Sequence, residues 1–324
     1  MDITIIGAGG LGAYYAAVLQ RAGAEVQLAV TPRHLAPIRE HGIRVLTDRD
    51  EFSVAPAAVT DQAGDLLPTP IVINTVKTYQ LDATIDEVRS ALAPGGIVVT
   101  LQNGVTAPGR LQGLLGDGVV VPGLTGIVSA ITDPGRVRQR GPRPFVTLGS
   151  MPLAAPRSRE SDERATENSS ATHPLVTELA EWLERAGCRA QATPDITRAL
   201  WKKFMLISTM SGVGTLCRAE LGEWRDFEPT RQLLRQSLHE VRAVANAHGI
   251  LLTDADEAEV ADQLDGAAPS ATASMQRDLM AGHRSELSDQ SGAVVRLAAE
   301  VEVEVPLHTT ITRVLSLYAS RGHV

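Results

Sequence analysis

The chain opens on DITII, a short β-branched run ended by glycine, which predicts a buried strand. After the glycines, Leu11, Tyr14, Tyr15, Ala17, Val18 and Leu19 recur at helical spacing, and Gly23 supplies a stop. EVQLAV (25–30) predicts a second strand. PIVINTVKT (70–78) predicts a third, with Lys77 at its end, and LDATIDEVRSAL an amphipathic helix. IVVTLQNGV (97–105) reads as a strand ending in Gln102-Asn103-Gly104, and VVVPGLTGIVSAIT and PFVTLGSM as further strands. Such βα alternation predicts an α/β fold with a doubly wound parallel sheet.

From Pro152 to Pro174 the pattern becomes polar and rich in Pro, Ser, Arg and Glu, which predicts a surface loop. A helix (175–186) and a short strand near Cys188 to Ala192 follow. From about Asp195 every apolar pattern is helical, as in ITRALWKKFMLISTMSGVGTL and EPTRQLLRQSLHEVRAVANAHG. The expected organisation is a sheet domain over 1–193 and an all-helical C-terminal domain over 194–324.

Gly7-Ala8-Gly9-Gly10-Leu11-Gly12 fits G-x-G-x-x-G, and its strand–turn–helix setting makes the motif informative. Gly7 permits the tight turn, Gly9 admits a pyrophosphate to the backbone, and Gly12 lets helix and strand pack closely. The amides of Gly10, Leu11 and Gly12 face the same ligand at the positive end of the helix. This is a Rossmann-type dinucleotide site. The end of the second strand, Val30-Thr31-Pro32-Arg33-His34, holds no acid for ribose hydroxyls. Thr31 and Arg33 suit a 2′-phosphate, which favours NADP(H) over NAD. Gly7, Thr31, Lys77 and Asn103 all fall at carboxyl ends of strands, where ligands of such sheets bind.

Composition narrows the partners. A net charge of -8 and 3% aromatic residues argue against nucleic acid and anionic membranes. No apolar run reaches the ~18 residues of a membrane span. The first strand starts at once, with no signal-peptide pattern, so a cytoplasmic location is expected. Cys188 and Cys217, without metal-ligand spacing, suit a reducing compartment and small buried packing roles; no metal site is expected.

In Leu200-Trp201-Lys202-Lys203-Phe204 the two lysines point about 100° apart on a helix, so one of them faces a given cleft. At this point the chain resembles the ketopantoate reductase (2-dehydropantoate 2-reductase) family. GAGGLG, Lys77, Gln102-Asn103-Gly104, LWKKF and SMQRDLMAGHRSEL (274–287) carry the resemblance over nearly the whole length. It implies Lys203 as the catalytic lysine, Asn103 beside nicotinamide and substrate, Lys77 lining the cofactor cleft, Ser274 on the substrate carboxylate, and Glu286 contacting substrate and tuning the lysine. Chemically, a cationic Lys203 can stabilise the oxyanion formed from a 2-oxo acid and protonate it, and a carboxylate keeps it charged. Ser274 and Glu286 are roughly 120° out of phase on a straight helix, so either the helix bends or ends near Gly282, where glycine permits a break, or the two flank the cleft from different directions.

The chain departs from the family pattern where substrate is bound. Ile207 and Ser211 stand one and two turns after the lysine where asparagines are usual. Ser288 and Ser291 replace an acid and an asparagine, and Thr31 replaces an arginine. The expectation is NADPH-dependent reduction of a 2-oxo acid more apolar than ketopantoate, by a homodimer. Two alternatives stay open: a dehydrogenase of a different hydroxy or oxo acid on the same plan, and a non-catalytic NADPH-sensing protein.

Overall fold

The structure is a computed structural model that describes residues 1–150 and 173–321. Most of the predicted polar loop, residues 151–172, lies outside the described residues. Two compact units emerge, one of Met1–Gln102 with Ala107–Ile196, the other of Asn103–Thr106 with Thr197–Val324.

The first unit runs β1 (Asp2–Ile6), α1 (Gly10–Arg21), β2 (Glu25–Ala29), α2 (Pro32–His41), β3 (Ile43–Leu46), β4 (Glu51–Val54), β5 (Ala58–Thr60) and β6 (Thr69–Asn74). It continues through α3 (Ile85–Ala91), β7 (Leu92–Thr100), α4 (Ala107–Leu115), β8 (Val120–Asp133), β9 (Arg136–Gly149), α5 (Pro174–Arg185) and β10 (Arg189–Thr193). The strands form one sheet in the order β4-β3-β9-β8-β7-β6-β1-β2-β5, with β10 also on β9. Strands β5, β2, β1, β6, β7 and β8 pair in parallel, as βα alternation predicts. Beyond β8 the sheet is mixed. The β8–β9 hairpin is antiparallel, and so is β3–β4. The hairpin turns at Pro134-Gly135, where Gly135 takes φ +76°. Its β9 arm starts at Arg136, well before the apolar PFVTLGSM that announces it, because Arg136–Arg140 alternates exposed and buried positions among charges. The short strands β3, β4 and β5 carry too few apolar positions to show as a pattern.

Two strand ends need correction. The third predicted strand stops at Asn74, not Thr78, and Lys77 instead precedes a 3₁₀ turn over Thr78–Gln80. The strand read as 97–105 covers Leu92–Thr100, so Gln102, Asn103 and Gly104 lie in the following loop, where Gly104 has φ +101°. The predicted amphipathic helix also shortens, to α3 after a 3₁₀ turn over Asp82–Thr84.

Alternation places Ile3, Ile5, Leu28, Ile71 and Ile73 on the face that receives Tyr15 and Leu19 of α1, all of them at most 2% exposed. Tyr15 is buried with its hydroxyl on Thr125 Oγ1 at 2.5 Å, so the ring adds core area without stranding a polar atom. The closest approach of helix to strand is at Gly12: a Cβ there would sit 1.9 Å from Gly7 O and 2.3 Å from Thr75 Oγ1.

The second unit holds α6 (Thr197–Cys217), α7 (Leu221–Asp226), α8 (Glu228–Ala247), α9 (Asp254–Asp265), α10 (Ser274–Met280), α11 (Ser291–Glu300) and α12 (Pro306–Arg321). Helix α6 is its axis, packing against α8, α9, α10 and α12. It is buried on most of its circumference, including Trp201, Phe204, Met205 and Val213. Gly212 and Gly214 admit Ile311 and Trp224 close to its backbone. Two buried charged groups here are well supplied with partners. Glu240 receives the N–H groups of Leu307 and His308 at 2.9 and 3.0 Å, which caps the start of α12. Arg225 donates to the carbonyls of Leu264, Asp265 and Ala267, closing the end of α9. Among the described residues no helix is long and apolar enough to cross a membrane, and no cluster of His, Cys, Asp and Glu is arranged to hold a metal ion.

Two glycines of the first turn should respond differently to a methyl group. Gly12→Ala is expected to lower the unfolding free energy by about 1–3 kcal/mol, because the backbone must move apart. Gly9→Ala, which meets nothing within 4 Å, should stay within about 1 kcal/mol of the parent. Urea unfolding midpoints of both variants check this; equal losses would contradict it.

Candidate functional site

The glycine turn is held by backbone and by one hydroxyl. Gly7, at φ +102°, donates its N–H to Ala29 O at 3.0 Å. Thr75, just past β6, shares its hydroxyl proton between Ile6 O at 3.0 Å and Gly7 O at 2.9 Å. The turn therefore cannot relax without breaking the β1–β6 edge. Gly9 is the N-cap of α1, and no side chain caps that end. The first-turn N–H groups of Gly10, Leu11 and Gly12 are thus left to a ligand. Open space surrounds the Cβ position of Gly9, whereas that of Gly10 lies 2.8 Å from Ser129 O and 3.0 Å from Ala130 Cα. Gly9 is open to one side, whereas a side chain on Gly10 would run into β8.

A second support lies between the ends of β6 and β7. The buried amide of Gln102 donates from Nε2 to Asn74 O, Asn74 Oδ1 and Val76 O, each at 3.1 Å. Gln102 Oε1 and Asn74 Nδ2 remain buried with no protein partner. Orphaned polar atoms of this kind beside a strand's carboxyl end are a ligand-site feature. Together with the uncapped helix and the space at Gly9, they fit a dinucleotide. Sequence reading missed Asn74, Thr75 and the role of Gln102. The available signal was polar residues interrupting apolar runs just where the strands end.

Thr31 is the N-cap of α2, exposed, and Arg33 lies exposed in that helix's first turn. Arg33 Nε donates to His34 Nε2 at 3.1 Å. Lys77 is partly buried, and its N–H donates to Gln80 Oε1 at 3.2 Å.

In the second unit the two lysines of α6 separate as helix geometry requires. Lys202 Nζ meets Glu259 Oε2 at 2.5 Å and Asp256 Oδ1 at 3.3 Å, and Asp256 also receives Arg198. Lys202 therefore serves to dock α9. Lys203 turns the other way and is partly buried. Burial pulls its ammonium down to about 8, and the Glu286 carboxylate pushes back toward the charged form. Glu286 is 4% exposed and precedes a 3₁₀ turn over Leu287–Asp289. Helix α10 has ended by Met280, and Gly282 takes φ +72°, so Ser274 and Glu286 lie on different segments. Of the two expected arrangements, a helix ending near Gly282 is the one found.

Asn103 and Gly104 group with the helical unit, and a Cβ on Gly104 would lie 2.9 Å from Asp289 O. The loop carrying Asn103 thus rests on the segment carrying Glu286. Ser274, half-buried, opens α10, which meets α6 where Gln276 Oε1 faces Gly214. Ile207 is partly buried one turn beyond Lys203, and Ser211, two turns beyond, is fully buried with an unpartnered Oγ. Cys188 is buried, which pushes its thiol up to about 12 and keeps it unreactive.

Known proteins match both units. The family model described as ketopantoate reductase PanE/ApbA matches residues 3–152, and its C-terminal counterpart matches residues 195–319. A curated relative, 2-dehydropantoate 2-reductase of Mesorhizobium japonicum, is 29% identical over 98% of this chain and 96% of its own. A PanE/ApbA family ketopantoate reductase from Ralstonia eutropha superposes with a TM-score of 0.86 at 24% identity, covering 100% of both chains. D-mandelate dehydrogenase with NADH and anilino(oxo)acetate shares the fold at a TM-score of 0.86 and 21% identity, again over 100% of both chains. With both family models spanning its two units, this chain belongs to the ketopantoate reductase family of NADP-dependent oxidoreductases.

Proposed function

We propose that this protein reduces a 2-oxo acid to the 2-hydroxy acid, with the hydride from NADPH and the proton from Lys203. The observation that carries the reading is the Lys203–Glu286 pair: burial lowers the lysine to about 8, where it is both charged at neutral pH and ready to give up its proton. Bound NADPH supplies the two electrons, as hydride, to the carbonyl carbon. As the C=O π pair moves onto oxygen, Lys203 Nζ stabilises the negative charge and protonates it, leaving a neutral amine that solvent reprotonates. Glu286 keeps Nζ cationic before the step. In this reading the amides of Gly10, Leu11 and Gly12 hold the pyrophosphate, Thr31, Arg33 and Lys77 bind the rest of the cofactor, Asn103 orients the carbonyl, and Ser274 receives the substrate carboxylate.

Ile207 and Ser211 argue for a substrate more apolar than ketopantoate. An isoleucine offers a substrate hydroxyl no partner, and a site without such partners loses its discrimination for the hydroxylated acid. The second reading, a dehydrogenase acting on another hydroxy acid, draws on the same isoleucine and on the fold shared with D-mandelate dehydrogenase. The sensor reading is opposed by the buried lysine–carboxylate pair, which binding alone does not need. We further propose a cytoplasmic homodimer whose helical unit contributes the contact, since Val314, Leu317 and Tyr318 leave an apolar stretch of α12 exposed.

Lys203→Ala is expected to lower turnover by at least ~100-fold in an NADPH oxidation assay, and unchanged turnover removes Lys203 from the mechanism. Because the protonated lysine is the active form, kcat/KM for reduction should be flat at low pH and fall as pH rises through about 8. Glu286→Gln leaves burial unopposed, so that fall should move to lower pH; a profile that stays put contradicts the pairing. Across a panel of 2-oxo acids, members without a side-chain hydroxyl should be preferred. Efficient saturation by ketopantoate removes the apolar-substrate reading, and tight NADPH binding with no turnover on any member favours the sensor.

A further inference from the structure

His34 follows Arg33 directly, and neighbours on a helix point about 100° apart. Even so, Arg33 curls back and donates from Nε to His34 Nε2 at 3.1 Å. The imidazole is 3% exposed, and the β8–β9 turn brings Gly135 N–H to 3.4 Å from its Nδ1. The guanidinium that it touches is exposed. A buried ring thus anchors a surface cation by the inner nitrogen of its fork.

The chemistry of the ring decides which contact is the bond. A neutral imidazole accepts at one nitrogen only. Burial and the adjacent Arg33 charge both hold His34 below its ordinary pKa, so the ring is neutral and keeps that lone pair. Arg33 Nε and Gly135 N both point an N–H at the ring, at Nε2 and Nδ1, and a single lone pair serves only one of them; we assign it to the shorter, charge-assisted Arg33 contact at Nε2, so that Gly135 N–H must turn away from the protonated Nδ1. With Nε engaged, Arg33 still offers Nη1 and Nη2 at its outer end, the pair that binds two phosphate oxygens side by side. An unanchored arginine at an exposed helix start must be ordered when it binds, and the His34 contact orders it in advance.

We propose that His34 is a positioning residue that holds the Arg33 guanidinium for the 2′-phosphate of NADPH, and so sets the preference for NADPH over NADH. The proposal rests on the reading of Arg33 as the phosphate partner, and the experiment separates the two. Dissociation constants for NADPH and for NADH are measured by titration calorimetry on the full chain and on four variants. Arg33→Met tests the underlying reading: it should weaken NADPH and leave NADH unchanged, and an unaltered ratio removes both claims. His34→Asn places an amide near the Nδ1 side of the ring but cannot reach Arg33, whereas His34→Gln extends an acceptor to the Nε2 position. His34→Asn should weaken NADPH roughly tenfold while NADH changes by less than about twofold. His34→Gln should stay within about threefold of the parent for both cofactors.

If Arg33→Met loses NADPH preference but His34→Asn and His34→Gln behave alike, the positioning role is overturned and the phosphate contact stands. Equal weakening of both cofactors by His34→Asn overturns it too, because His34 then only packs the hairpin turn. Arg33→Lys supplies a check that leaves the buried ring intact. It keeps the charge and removes the Nε donor, so it should lose most of the NADPH preference; parental preference in that variant overturns the proposal.

Discussion

A lysine ammonium that burial pushes toward the neutral amine, set against the carboxylate of Glu286, is the constraint on which the proposed chemistry turns. Burial alone pushes Lys203 toward the neutral amine, and Glu286 alone pushes it toward permanent charge. Only their balance leaves a proton that is present at neutral pH and easily released. Lys202, one residue earlier, is taken up by Glu259 and Asp256, so the α6–α9 junction is satisfied without drawing on Lys203. The chain after α10 turns at Gly282, which lets Glu286 approach from a direction no straight helix allows.

The glycine turn shows a comparable economy of parts. Its backbone is pinned from three sides, by Ala29, by Thr75 and by the close packing at Gly12. Rigidity of that kind leaves the first amides of α1 uncommitted, and uncommitted amides are what an anionic ligand needs. The same logic applies to Gln102, which spends its donor atoms on joining β6 to β7 and leaves its carbonyl oxygen without a protein partner. Polar atoms left over at strand ends are costly in a core, and a bound ligand or an ordered water removes that cost.

Much of this was legible in one dimension. The βα alternation, the glycine spacing and the switch to helical periodicity near Asp195 each reflect a local rule: side chains alternate along strands, repeat every 3.6 residues on helices, and glycine alone tolerates the tight turn. The 100° separation of Lys202 and Lys203 followed from helix geometry alone, and the two side chains do part. The departures at Ile207 and Ser211 needed only the residue types. The antiparallel β8–β9 hairpin was not legible, because the charged half of β9 has no apolar run. Thr75 and His34 were not legible either, since a threonine at a strand end and a histidine after an arginine have no special meaning in sequence.

The sequence by itself determined the longer strands and helices and which residue types could do chemistry, because propensity and periodicity act over a few neighbouring positions. Tertiary structure alone decided that Lys202 binds α9 while Lys203 meets Glu286. It alone set a buried imidazole beneath Arg33 and left Gly9 open where Gly10 is packed. Those outcomes depend on distance and desolvation between residues far apart in the chain or turned unexpectedly toward each other, and no local rule contains either quantity.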